Sequence, residues 1–240
     1  MNDRDWVALL VQHTLTPGQA VLDIGANAGL FTEPMADAVG ADGKVWAIEP
    51  DLVSVQYLLA RVPGVMVINV ALGDQDGKCD FWIRPSDSRH HSLYREAVPF
   101  PEQAKPLKVR VATLDAVYRH PQCPRFDFIK MDAQGAEGPI LSRASLALET
   151  DAAWLIEVWP HGLACAGWTV DRLIDQVQAF TPYTIDGHRH LQQRTWAEIL
   201  HDCSGLPAAV GLNVGLAKPG SPIAQRWHST AIRAPTCPSC

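Results

Sequence analysis

No stretch of the chain reaches the roughly 18 consecutive apolar residues of a membrane-spanning helix. The charged start, Met1-Asn2-Asp3-Arg4-Asp5, leads into no apolar block of the kind that forms a secretion signal. A membrane protein is therefore not expected, and the sequence reads as a soluble, cytoplasmic one. A basic excess is missing too. The 240 residues carry 20 Lys+Arg against 26 Asp+Glu, a formal net charge of −6, so nucleic acid is not expected as a partner. Six cysteines stand at Cys79, Cys123, Cys165, Cys203, Cys237 and Cys240, and only the last two are closely spaced, with no histidine pair beside them. A disulfide framework and a four-ligand zinc site both lack their residues, and no metal is expected. No acidic residue follows Asp202, and residues 219–240 hold Pro219, Pro222, Pro235 and Pro238 without an apolar period. That end is expected to be a basic, Pro-rich, flexible tail outside the core.

What is present is ample apolar material, 47% of residues against 19% charged, enough for a sizeable core. Short apolar runs alternate with helical periods. Ala20-Val-Leu-Asp-Ile-Gly25 reads as a buried strand, and a helix follows to Val39 with Pro34 in its first turns. Lys44–Ile48 is a second strand, Asp51–Arg61 a helix, and Val65–Val70 a third strand. Phe126–Met131 and Trp154–Val158 are further strands, Val170–Phe180 an amphipathic helix, and Asn213–Ala217 a late strand. Thr195-Trp-Ala-Glu198 is a capping-box pattern that opens a helix. Strands alternating with helices predict one doubly wound α/β domain over residues 1–218. A polar, Pro-punctuated stretch over 84–108, with His90, His91, Ser92, Tyr94 and Arg95, reads as an inserted substrate lid.

The informative segment is Asp23-Ile-Gly25-Ala-Asn27-Ala-Gly29, a strand running into a Gly-rich turn and a helix. A dinucleotide fingerprint would need Gly where Asn27 and Leu30 stand, and a phosphate loop would need Gly-Lys-Ser/Thr. Asp23 would repel a phosphate but suits a ligand carrying an ammonium and a sulfonium. Glu49, at the end of the second strand and 20 residues after Gly29, is placed to bond two ribose hydroxyls. Together these residues spell an S-adenosylmethionine (SAM) site better than a NAD site.

The ordered motifs Asp23–Gly29, Ala47-Ile-Glu-Pro50, Asn69-Val-Ala-Leu-Gly-Asp74, Val111-Ala-Thr-Leu-Asp115 and Phe128-Ile-Lys-Met-Asp-Ala-Gln-Gly-Ala-Glu137 resemble the FkbM family of SAM-dependent methyltransferases. The resemblance implies a Rossmann-like class I methyltransferase fold, with a seven-stranded, mostly parallel sheet whose last strand is reversed. It also implies O-methylation of a hydroxyl on a small molecule, natural product or sugar. By motif, Asp23, Gly25, Asn27 and Gly29 would line the methionine end of the cofactor, Glu49 would hold the ribose, and Asn69 and Ala71 would flank the adenine with Asp74 nearby. Asp132 would lie beside the methyl group. Gln134 departs from the family run, where many members carry Glu. Asp132 is the leading candidate for the base that takes the hydroxyl proton, with Glu137 and His161 behind it. A non-catalytic SAM-binding protein and a NAD-dependent oxidoreductase are the alternatives. Asp23→Ala and Glu49→Ala are each predicted to abolish SAM binding while the fold survives.

Overall fold

The computed structural model describes residues 10, 11, 13–84, 87–185 and 191–229. Its strands in chain order are β1 (Ala20–Ile24), β2 (Lys44–Ile48), β3 (Met66–Ile68), β4 (Ala71–Leu72), β5 (Gly77–Ile83), β6 (Lys105–Ala112), β7 (Phe128–Met131), β8 (Ala153–Val158), β9 (Thr181–Ile185), β10 (Leu191–Gln193) and β11 (Leu212–Ala217). The main sheet runs β10-β9-β11-β8-β7-β1-β2-β3, and β4-β6-β5 form a small second sheet. Strands β3, β2, β1, β7 and β8 are mutually parallel. β11 is inserted antiparallel between β8 and β9. The seven strands expected are there, and β10 extends the edge as an eighth among the described residues.

The helices are α1 (Thr32–Val39), α2 (Leu52–Arg61), α3 (Leu114–Tyr118), α4 (Glu137–Leu141), α5 (Ser145–Leu148), α6 (Pro160–Cys165), α7 (Val170–Val177), α8 (Trp196–Ser204) and α9 (Pro222–Ser229). They cover both faces of the sheet, so its central strands bury every second residue on each side and read as nearly unbroken apolar runs. Leu22, Ile24, Ile129, Met131, Trp154 and Ile156 face one core, shared with Ile140, Leu173, Val177 and Ile199 of the helices. Val21, Phe128, Ala153 and Leu155 face the other, shared with Met35 and Val39 of α1.

Two segments depart from expectation. Pro222–Ser229, expected in a loose tail, is α9 and packs on that second core. Ile223, Ala224 and Trp227 are buried, and the Trp227 indole donates to Thr14 Oγ1 at 3.0 Å and meets Tyr183 edge-on. Three apolar side chains in one and a half turns suffice where a tryptophan is among them. The Cys237–Cys240 pair lies outside the described residues. The second segment is Thr181–Gln193, where no strand was predicted. Pro182 interrupts the strand pattern, yet β9 pairs with β11 along Thr181–Tyr183.

The capping box is formed: Glu198 N donates to Thr195 Oγ1 at 3.2 Å, and Glu198 Oε2 accepts from Thr195 N at 2.7 Å. Thr195→Ala is expected to cost about 1 kcal/mol and to lower the melting temperature by roughly 2–4 °C. Scanning calorimetry reads this, and cofactor affinity should not change.

Candidate active site

Gly25 turns the chain out of β1 at φ +75°, and a Cβ there would lie 1.9 Å from the Asp132 carbonyl oxygen. Only glycine lets the ends of β1 and β7 close this tightly, and that closeness sets the Asp132 side chain beside the turn. Asn27 follows at φ +47° and donates its N–H to Glu49 Oε2 at 2.8 Å. The other Glu49 oxygen accepts from Asp51 N at 2.9 Å. Asn69 braces the same strand end, its amide donating to the Glu49 and Pro50 carbonyls at 2.8 and 3.0 Å. Glu49 is 5% exposed, and burial pushes its carboxyl up to about 7.

Gly25, Asn27 and Glu49, but not Asn69, border a cavity of about 540 Å³ at the carboxyl edge of the sheet, within the range of small-molecule sites and where open α/β sheets bind ligands. Gly25, Asn27, Glu49, Ala71 and Asp132 line it, with Ile48, Val70 and Leu72 forming an apolar wall. From the 84–108 segment, Ser88–His91 and Leu93 roof the cavity, while its last part, from Lys105, belongs to β6. Ser88 is bonded to Asn27 both ways: Asn27 Nδ2 donates to its carbonyl at 2.8 Å, and its hydroxyl donates to Asn27 Oδ1 at 3.1 Å. Ser92 Oγ donates to the Gln134 carbonyl at 2.7 Å. Arg89 bonds hold the Asp87 carboxyl down at about 2, while burial pushes the His91 imidazole down.

The other predicted residues lie elsewhere. Asp23 is wholly buried behind the turn. Parallel register sets it opposite Lys130, whose ammonium is 3.2 Å from Oδ1, and Oδ2 accepts from Thr32 Oγ1 at 2.7 Å. Burial opposes the Lys130 charge, but Asp23 and Asp132 outweigh it and raise its pKa above the ordinary lysine value. Gly29 packs on α2, where a Cβ would meet Leu58 at 2.8 Å. Asp74 is exposed, and its carbonyl accepts from Arg143. His161 is exposed on α6, with Cys165 Sγ 3.7 Å away.

Glu137 is fully buried, and its two oxygens accept from Ala133 N and Gly135 N at 2.7 and 3.0 Å. It thereby shapes the loop that carries Asp132, and burial pushes its carboxyl up to about 7. Asp132, Glu137 and Glu157 bring oxygens within 4.8 Å of one another. Both Glu137 oxygens are already engaged by backbone N–H groups, a poor start for a metal ligand. Glu157 and Gln134 also line the cavity. Glu157 was signalled only by its position near the end of β8, and Gln134, three residues past the end of β7, only as a departure from the family run.

This strand order, with a reversed strand between the fifth and sixth positions and an acid-bearing cavity over the first two strand ends, defines a class I methyltransferase fold. A domain model described as the methyltransferase FkbM domain matches residues 23–175, so the chain belongs to the FkbM methyltransferase family. It is a SAM-dependent methyltransferase, and the nicotinamide alternative falls with that match. Among solved structures, it is similar to a putative rRNA-methylase from Clostridium thermocellum, with TM-score 0.53, 10% identity, and 91% of this chain and 96% of that one covered. It also matches a putative O-methyltransferase from Klebsiella pneumoniae, with TM-score 0.49, 16% identity, and 90% and 80% covered. At such identities the first likeness speaks for the fold alone. No curated protein matches the sequence significantly. Among the described residues, no helix is long and apolar enough to cross a membrane.

Proposed function

We propose that this methyltransferase methylates a hydroxyl oxygen of a small molecule or sugar. The observation that supports this reading is the position of Asp132. It lines the same cavity as Glu49, with Oδ1 accepting from Gln134 Nε2 at 2.7 Å and Oδ2 3.8 Å from the Lys130 ammonium. The cavity suits SAM: Glu49 offers a buried carboxylate to ribose hydroxyls, and Ile48, Val70, Ala71 and Leu72 offer an apolar wall to adenine. When bound, SAM supplies a sulfonium methyl, whose carbon–sulfur bond breaks as the carbon–oxygen bond forms, the electron pair staying on sulfur. Asp132 takes the proton of the acceptor hydroxyl. Ser88–His91 and Leu93 cover one side of the cavity, which limits the access of water to the reacting atoms once both ligands fill it.

Asp132→Asn tests this assignment. Turnover to S-adenosylhomocysteine (SAH) with a panel of hydroxylated acceptors should fall about 100-fold while SAM affinity holds. Unchanged turnover in that variant, or product mass spectra that place the methyl on carbon, would overturn it.

A further inference from the structure

Two non-glycine residues that line the cavity, Asn27 and Gln134, stand at positive φ, +47° and +50°, a backbone conformation that L side chains seldom take. Such strain persists only where the surrounding structure imposes it, and it gathers at active sites. Each of the two is tied to the segment that carries the roof: Asn27 to Ser88, and Gln134 through its carbonyl to Ser92 Oγ at 2.7 Å. Ser92 is itself held in place. It is wholly buried, and its backbone pairs with Trp82 both ways, Trp82 N donating at 2.7 Å and Ser92 N at 3.1 Å. The next residue of the loop, Gly135, lies so near α6 that a Cβ there would stand 2.7 Å from the Gly162 carbonyl oxygen. Ser92, α6 and the Glu137 carboxyl thus fix the 133–135 backbone.

The side chain on this backbone is equally constrained. A glutamine amide has one accepting end and one donating end, and carboxylates only accept. Gln134 therefore turns its NH₂ to two carboxylates, Asp132 Oδ1 at 2.7 Å and Glu157 Oε2 at 3.2 Å, and both hydrogens are used. The shorter of the two bonds holds Asp132 by one oxygen. The other oxygen, Oδ2, accepts no hydrogen bond among the described residues. Lys130 Nζ stands 3.8 Å from it, beyond bonding reach. The Asp132 side chain is 27% exposed, so Oδ2 is the oxygen left for a ligand in the cavity.

We propose that Gln134 is a positioning residue of the reaction: by holding Oδ1 of Asp132 it aims Oδ2 at the acceptor hydroxyl. In the transfer the O–H bond breaks and its proton passes to Oδ2. The oxygen's electron pair forms the bond to the methyl carbon, while the carbon–sulfur pair stays on sulfur. Without the amide, the Asp132 carboxyl is free to turn about its side-chain torsions towards the Lys130 ammonium, and the base loses its aim. This inference rests on the O-methylation reading, in which Asp132 is the base.

The test is Gln134→Met, which keeps the length of the side chain and removes the amide, made alone and together with Asp132→Asn. The probes are glucose, glycerol and catechol, each with SAM, and turnover is read as SAH formed. In Gln134→Met, kcat should fall about tenfold with the acceptor KM and SAM affinity nearly unchanged. In the Asp132→Asn background, Gln134→Met should cost nothing more, because a residue that acts through the base has no effect once the base is gone. A merely structural loss would multiply instead. The crystal structure of SAH-loaded Gln134→Met should show the Asp132 carboxyl turned towards Lys130. Unchanged kcat, a tenfold fall that persists in the Asp132→Asn background, or an Asp132 carboxyl that keeps its place would each overturn the proposal. The O-methylation reading fails differently: Asp132→Asn then turns over like the wild type. In that case, or where none of the three probes yields SAH, the place of the Asp132 carboxyl in Gln134→Met decides the positioning role by itself.

Discussion

Asp23→Ala should destabilise the protein by about 3–5 kcal/mol, because it leaves the buried Lys130 ammonium without its principal counter-charge. Both side chains are almost completely shielded from water, at 4% and 0% exposure. Lys130 keeps a bond to the Gly25 carbonyl at 3.1 Å, and Asp132 stands 3.8 Å off, but neither replaces a carboxylate at 3.2 Å. In a chain of this size the melting temperature should drop by roughly 10 °C. From sequence alone, this variant was expected to lose SAM and keep its fold. The structure reverses the order of events: Asp23 does not line the cavity, so cofactor loss would follow from loosening of the β1 and β7 ends. The paired variant Asp23→Leu with Lys130→Met removes both charges and should recover most of the lost stability, as replacement of buried ion pairs by apolar groups often does. If Asp23→Ala melts with the wild type yet fails to bind SAM, the acid touches the ligand and the buried pairing is not its main role.

The same pair shows what sequence pattern can and cannot convey. Strands β1, β2, β7 and β8 were legible because burial on both faces writes a nearly unbroken apolar run. Gly25 was legible because a tight turn at a strand end demands glycine, and the place of Glu49 in the cavity because an acid at a parallel strand's carboxyl end faces the ligand edge of the sheet. The direction in which Asp23 points was not legible from its motif. It depends on β1 lying beside β7 in a register that opposes Asp23 to Lys130, a contact across 107 residues. The hint was there: one acid and one lysine, each isolated in an apolar strand, must neutralise something inside. Glu137 was misjudged for the same kind of reason. A helix-entry acid and a candidate base look alike until the N–H groups of Ala133 and Gly135 are seen to converge on it. The helix Pro222–Ser229 escaped because four prolines and the lack of an apolar period outweighed Trp227 in any local count. β9 escaped because Pro182 reads as a break, although its place between β10 and β11 makes it integral to the sheet.

Glu49→Gln should weaken SAM binding by about a thousandfold, the loss of two hydrogen bonds to a charged acceptor at roughly 2 kcal/mol each. The pH dependence of the wild type gives a sharper test. Burial holds the Glu49 carboxyl up at about 7 against an ordinary 4.5. Such a raised value favours the folded state below the ordinary value, and that contribution is lost as pH rises through 7, by on the order of 3 kcal/mol. Glu137, raised to about 7 by burial, adds in the same direction. The ligand-free protein should therefore melt at a lower temperature at pH 8 than at pH 5.5. SAM binding should run the other way, since ribose hydroxyls donate to the ionised carboxylate. Affinity should increase about tenfold from pH 6 to pH 8, levelling off above 7, as protonation of one group near 7 requires. Glu137 does not line the cavity, so of these two carboxyls it is Glu49 that the binding profile reports; that profile should flatten in Glu49→Gln, while the melting profile keeps the part due to Glu137. A binding profile that keeps its slope in Glu49→Gln would move the titrating group elsewhere in the cavity and take the ribose contact away from this acid.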